Sequence, residues 1–193
     1  MNKFQYVIFD LMGVLYKNGH IIKQGLSEFL DQDYLKVKEK YNQYKSGKIE
    51  FAEFWQTLKQ DKKVEKQFLR SLAIDPSAVE VVENLKKNYQ VGSITNLPVS
   101  WARFLARLFK FDKIIISAEH DCLKPQSEIY HIFLKKTGVK PARCLFIDDN
   151  LINLEVPAKM GMTTVWFSRE KQDLDFKPDF TISELKELYK IIK

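Results

Sequence analysis

The chain of 193 residues is 45% hydrophobic and 29% charged, which excludes a disordered tail and allows one good core with a small accessory domain. Its 31 basic and 25 acidic residues leave a net charge of +6. The densest charged run, residues 59–66, alternates Lys with Asp and Glu as a solvated helix face does, so nucleic acid is not an expected partner. No apolar run is long enough for a bilayer, and Asp10 interrupts the only apolar run near the N-terminus, so neither membrane association nor a signal peptide is expected. Cys122 and Cys144 make no metal-ligand spacing and read as reduced thiols, which together predict a cytoplasmic protein.

The first element is an apolar run over residues 4–10, rich in Val, Ile and aromatics, which reads as a buried strand ending at Asp10. Gly13 permits a sharp turn just beyond. A carboxylate delivered by such a strand needs a cation, donors or water at the strand end. Residues 17–75 then change character. Apolar residues recur at helical spacing through Leu26, Phe29 and Leu30, through Val37, Tyr41 and Tyr44, through Phe51, Phe54, Trp55 and Leu58, and through Val64, Phe68 and Leu72. Gly47 reads as a helix stop. A parallel crossover needs only a dozen or so residues, so this segment is an insertion, predicted as a small helical cap domain. Residues 1–16 and 76–193 are predicted to form the core domain.

From Ser77, predicted to N-cap a helix with Glu80 in the capping-box position, strands and helices alternate. A second strand at 89–94 ends at Thr95-Asn96 and precedes a helix at 101–109. A third at 113–117 leads to Lys124-Pro125 and a helix at 128–137. A fourth at 143–147 ends at Asp148-Asp149-Asn150 and opens a helix at 151–160. A fifth is at 163–167, and the tail holds a short extended piece and a helix at 183–192. This order predicts an α/β fold, a Rossmann-like parallel sheet with helices on both faces. In such sheets ligands bind beyond the carboxyl ends of the strands, where Asp10, Thr95, Asn96, Lys124, Asp148 and Asp149 all fall.

Three carboxylates brought to one point repel one another unless a hard cation neutralises them, and Mg²⁺ suits an oxygen-only donor set. Lys124 would offset remaining charge, and the Thr95 hydroxyl with nearby backbone N–H groups could hold phosphate oxygens. Each residue also has an ordinary alternative: a turn at Thr95-Asn96, an exposed lysine at 124, a helix cap at Asp149 or Asn150.

Those positions, in order, resemble the four motifs of the haloacid dehalogenase-like (HAD) hydrolases. The resemblance implies Asp10 as nucleophile, Thr95 and Asn96 as phosphate-binding residues, Lys124 as the catalytic and phosphate-binding lysine, and Asp148 and Asp149 as metal acids. It also implies Mg²⁺ held by Asp10, Asp148, Asp149 and the backbone carbonyl of Met12, and a small phosphorylated metabolite as substrate. One position departs from the pattern. Met12 stands where the family usually has the Asp that serves as general acid and base, and a thioether can do neither. Three readings stay open: a phosphatase whose proton comes from elsewhere, a non-catalytic or weakly active phospholigand-binding protein, and a 2-haloacid dehalogenase, whose leaving halide needs no proton. In the cap, Lys48, Trp55 and the loop residue His20 are substrate-contact candidates.

Overall fold

The computed structural model describes residues 3–17, 19, 21–61, 63–168 and 175–192. At its centre is β1 (Tyr6–Phe9), every residue of it buried. With β2 (Gln90–Thr95), β3 (Lys113–Ile116), β4 (Cys144–Asp148), β5 (Thr163–Phe167) and β6 (Phe180–Ile182) it forms a parallel sheet in the order β3-β2-β1-β4-β5-β6. The short extended piece of the tail is thus a sixth strand. β1 shows why the sheet carries helices on both sides. Val7 and Phe9 enter one apolar cluster, and Tyr6 and Ile8 enter the other, as the two-residue period of a strand requires.

The insertion leaves and returns side by side. Tyr16 bridges to Ile74, Lys17 N–H donates to the Ala73 carbonyl at 2.8 Å, and Asp75 N–H donates to the Leu15 carbonyl at 2.9 Å. Between these ends lie a π-helical turn (Ile22–Leu26), α1 (Ser27–Leu30), α2 (Tyr34–Lys45), α3 (Phe51–Thr57) and α4 (Lys63–Ser71). Asp33 caps α2 by accepting from Lys36 N–H, and Gly47 follows the helix with φ of +76°. The insertion continues the Val7/Phe9 cluster. Its hub is Trp101 of the core, whose ring centroid lies 5.4 Å from Tyr41, 6.2 Å from Tyr44, 6.3 Å from Phe54 and 5.3 Å from Phe68.

α5 (Ala78–Leu85) and α6 (Val99–Ala106) cover the same face as the insertion, while α7 (Ser127–Thr137) and α8 (Ile152–Lys159) cover the other. The chain ends in a 3₁₀ turn (Leu185–Glu187) and α9 (Leu188–Ile191), a shorter terminal helix than its periodicity suggests. Ser77 does not cap α5 through its side chain. Its hydroxyl donates instead to Asp75 at 2.8 Å, and Glu80 pairs with Lys186 at 2.9 Å. Asp75 sits two residues ahead of Ser77 and takes both its N–H and its hydroxyl, the local competition an Asx turn offers.

Candidate active site

The strand order reverses between β1 and β4, and there the carboxyl ends of two adjacent strands each release a carboxylate. Asp10 follows β1 and continues the ladder, its N–H donating to the Ile147 carbonyl at 2.9 Å, while Asp148 is the last residue of β4. Lys124, in the loop between β3 and α7, inserts its ammonium between them. Nζ lies 2.6 Å from Asp148 Oδ2 and 3.0 Å from Asp10 Oδ2. All three residues are buried, Asp148 at 0% and Lys124 at 4% exposure. A lysine so enclosed is stable as an ion only with opposite charge in contact. Burial alone would lower its pKa, but Asp10 and Asp148 outweigh burial and raise it.

Asp148 uses its whole carboxylate for positioning. Oδ2 takes Lys124, and Oδ1 accepts from Asn150 N–H at 2.9 Å and Asn153 Nδ2 at 3.0 Å. Asp10 Oδ1 accepts from Leu11 N–H at 2.7 Å. Burial raises the Asp10 carboxyl to about 6, against Lys124, with Asp148 adding to the rise. Asp149, half-buried, is pushed up to about 8 by burial and then by the charges of Asp148 and Asp10. Carboxylate oxygens of Asp10, Asp148 and Asp149 all lie within 4.8 Å of one another. Two of these three acids pair with the ammonium of Lys124, and the excess negative charge is what a hard cation would relieve. The donor set is oxygen only, so the residues present fit Mg²⁺.

Gly13 makes this crowding possible. Its φ is +78°, and a Cβ there would fall 1.9 Å from Asp149 Oδ2. From the other side, the Trp166 indole N–H holds the Asp149 carbonyl at 3.0 Å.

The phosphate-binding candidates divide. Thr95, 1% exposed at the end of β2, has a buried hydroxyl with no hydrogen-bond partner among the described residues. A buried hydroxyl of this kind is costly unless something else occupies its lone pairs. Asn96 instead commits its carboxamide to the lysine loop: Oδ1 accepts from Lys124 N–H at 2.8 Å, and Nδ2 donates to the Lys124 carbonyl at 3.0 Å. Its side chain thus sets where Lys124 stands.

The cap candidates are mostly elsewhere. Trp55 is 1% exposed and packs edge-on against Phe54, 5.0 Å between centroids, because a helical layer this small needs its large rings for its own core. The ring is thus part of the insertion's own core. Lys48 is exposed on the turn after α2, and His20 lies outside the described residues. Met12 is buried in the apolar cluster. Sequence reasoning missed Asn153 and Trp166, which hold Asp148 and Asp149. Asn153 had a signal, a polar residue on the buried side of α8 beside Leu154 and Pro157. Tyr41, in α2, is buried, and burial first and then the charge of Asp10 raise its pKa.

Residues 4–161 match the family model of the haloacid dehalogenase-like hydrolases. The chain belongs to that family. Among curated HAD relatives, a glyceraldehyde 3-phosphate phosphatase of Pyrococcus furiosus is 33% identical over 129 residues, 61% of this chain and 54% of the relative. An (S)-2-haloacid dehalogenase of Pseudomonas putida is 26% identical over 98 residues, 49% of this chain and 40% of the relative. The chain thus spans about half the length of the curated relatives it matches. A HAD family enzyme from Bacteroides thetaiotaomicron, crystallised with magnesium and inorganic phosphate, superposes with a TM-score of 0.71 at 21% identity over 88% of this chain and 96% of that one. At that identity the likeness is one of fold. No helix among the described residues is long and apolar enough to cross a membrane.

Proposed function

We propose that this HAD-family chain is a Mg²⁺-dependent phosphatase of a small phosphorylated metabolite, with Asp10 as the phosphoryl acceptor. The observation that carries the reading is the trio of carboxylates within 4.8 Å of one another, two of which, Asp10 and Asp148, pair with the ammonium of Lys124. A dehalogenase would present its substrate carboxylate to that same excess of negative charge, which disfavours it. The phosphatase among the curated relatives supports a phosphate ester as substrate.

In this reading Asp10, Asp149 and the Met12 carbonyl hold the cation, and Asp148, whose oxygens already take Lys124, Asn150 and Asn153, orients the lysine. When bound, Mg²⁺ supplies charge neutralisation for the transferring phosphoryl group. Asp10 attacks phosphorus, the bond to the leaving oxygen breaks, and the phosphoryl group passes to the carboxylate. Lys124 and Thr95 hold the phosphoryl oxygens, Lys124 by charge and Thr95 through the hydroxyl that has no partner among the described residues. Water then releases phosphate from Asp10. Met12 moves no proton, so the leaving oxygen takes its proton from solvent, and esters with acidic leaving groups turn over fastest. Residues 17–75 act as the cap over the core of 1–16 and 76–193.

p-Nitrophenyl phosphate is expected to be hydrolysed with Mg²⁺, to stop being hydrolysed on chelation, and to lose on the order of 10³-fold or more in kcat with Asp10→Asn. Turnover that survives Asp10→Asn would show that another group accepts the phosphoryl. No turnover of any phosphate ester would favour a phospholigand-binding protein on the same scaffold.

A further inference from the structure

The C-terminal turn of α2 is docked directly on the site's edge of the sheet. Ser117 Oγ, fully buried just beyond β3, donates to the Lys45 carbonyl at 2.7 Å. Ile116 pairs in register with Thr95, so Ser117 lies beside Asn96, the residue that holds Lys124. Gly47 closes the approach, since a Cβ there would come within 2.8 Å of the Ala118 carbonyl oxygen. On this turn Lys45 is half-buried, with Nζ 5.5 Å from the centroid of the Tyr41 ring one turn earlier. Tyr41 is in turn the cap residue that feels the charge of Asp10.

Lys45 has no ion-pair partner among the described residues. The charge that acts on it is another cation, Lys38, which adds to burial in lowering its pKa. The arrangement repeats along the helix, because Lys38 lies 5.4 Å from the Tyr34 ring. Positions 34, 38, 41 and 45 fall on one stripe of α2 by their i, i+4, i+7, i+11 spacing. A ring face offers a cation modest compensation. A half-desolvated ammonium facing only a like charge still lacks its counter-ion. At the strand ends, acids outnumber the lysine. Here the imbalance is reversed.

We infer that Lys45, spaced by Tyr41, is a specificity-determining residue that takes a second anionic group, a carboxylate, on the leaving-group side of the phosphate ester. This rests on the phosphatase reading, in which Lys124 and Thr95 take the phosphoryl end, and on the docking of the end of α2 beside the loop after β3. The preferred class is therefore small phosphate monoesters of hydroxy acids over those of neutral alcohols.

The matched probes are 3-phosphoglycerate and glycerol 1-phosphate, which differ by a carboxylate in place of a hydroxymethyl group. The expected ratio of kcat/KM is about tenfold or more in favour of 3-phosphoglycerate, expressed chiefly in KM. Lys45→Met should collapse that ratio toward one and Lys45→Arg should keep it. A wild-type ratio at or below one overturns the inference. So does a Lys45→Met chain that loses activity on both probes alike with the ratio intact, which is what a merely structural lysine would give. Calorimetric binding of the same two probes to the Mg²⁺-loaded protein separates the two readings. Preferential binding of 3-phosphoglycerate that Lys45→Met abolishes, without turnover, would retain Lys45 and reject hydrolysis.

Discussion

The carboxyl end of the sheet and the helical layer above it solve opposite problems with the same chain. At the sheet end, Asp10, Lys124, Asp148 and Asp149 are crowded charges, held by backbone ladders and by side chains such as Asn96 and Asn153 whose hydrogen bonds go to them. In the insertion the organising contact is apolar, with Tyr41, Tyr44, Phe54 and Phe68 gathered around Trp101. Charge geometry is fixed by register and tolerates little change. Ring packing is fixed by volume, and its cost depends on how far the neighbours can relax.

Lys124→Met makes the sharpest test of the charged side. It leaves the buried carboxylates of Asp10 and Asp148 facing each other with no cation, and breaking a buried pair in this way costs about 3–5 kcal/mol. The loss should appear as a lower denaturant midpoint in chelator, with phosphatase turnover down by on the order of 10³-fold. Trp101→Ala tests the apolar side. Removing the hub should cost about 3–5 kcal/mol in the same denaturation experiment, yet raise KM more than it lowers kcat. Equal damage to kcat by both variants would break the contrast, because the ring cluster would then be setting the geometry of the charges.

The same division governs what could be read from the sequence. Strand ends were legible because a strand must stop where its apolar run meets polar residues, and the alternation of strands and helices leaves few topologies. Hence the convergence of Asp10, Lys124, Asp148 and Asp149 follows from chain order, although strand boundaries shift by about one residue. What each polar side chain touches was not legible. Asn96 and Thr95 stand side by side with similar chemistry, but one side chain clamps a loop and the other is buried without a partner among the described residues. In the insertion, helical periodicity shows which residues face inward without showing which rings meet: Tyr41 packs on Trp101 and Trp55 on Phe54. Trp55 and Tyr41 are both aromatic and both buried, and only the packing separates them.

Asn96→Ala should sharpen the reading of that clamp. Two hydrogen bonds of 2.8 and 3.0 Å to the Lys124 backbone are lost, and the groups left behind cost about 1–3 kcal/mol. The lysine keeps its charge but not its placement, so kcat should fall by about 10²-fold while Mg²⁺ affinity, measured by calorimetry, stays near the wild-type value. A matching loss of metal affinity would mean that Asn96 supports the acids and not the lysine.

The smallest effect is expected where charge enters the apolar layer. Glu65 of α4 accepts from Ser100 Oγ at 2.8 Å and from the Trp101 indole N–H, tying the insertion to the start of α6. Burial raises its carboxyl above the ordinary glutamate value, against the hydrogen bonds from Ser100 and Trp101 that lower it. A carboxyl raised in the folded state stabilises the fold below its unfolded value, and that contribution is lost as pH rises through the folded value. Gln keeps an acceptor and does not titrate. The stability of the wild type relative to Glu65→Gln should therefore be greatest below the ordinary glutamate value and decline modestly as pH rises through the raised folded value, read from denaturant midpoints at each pH. A difference that grows with pH would place a net stabilising charge at the junction, and the insertion would then be held to the core by electrostatics as the sheet end is.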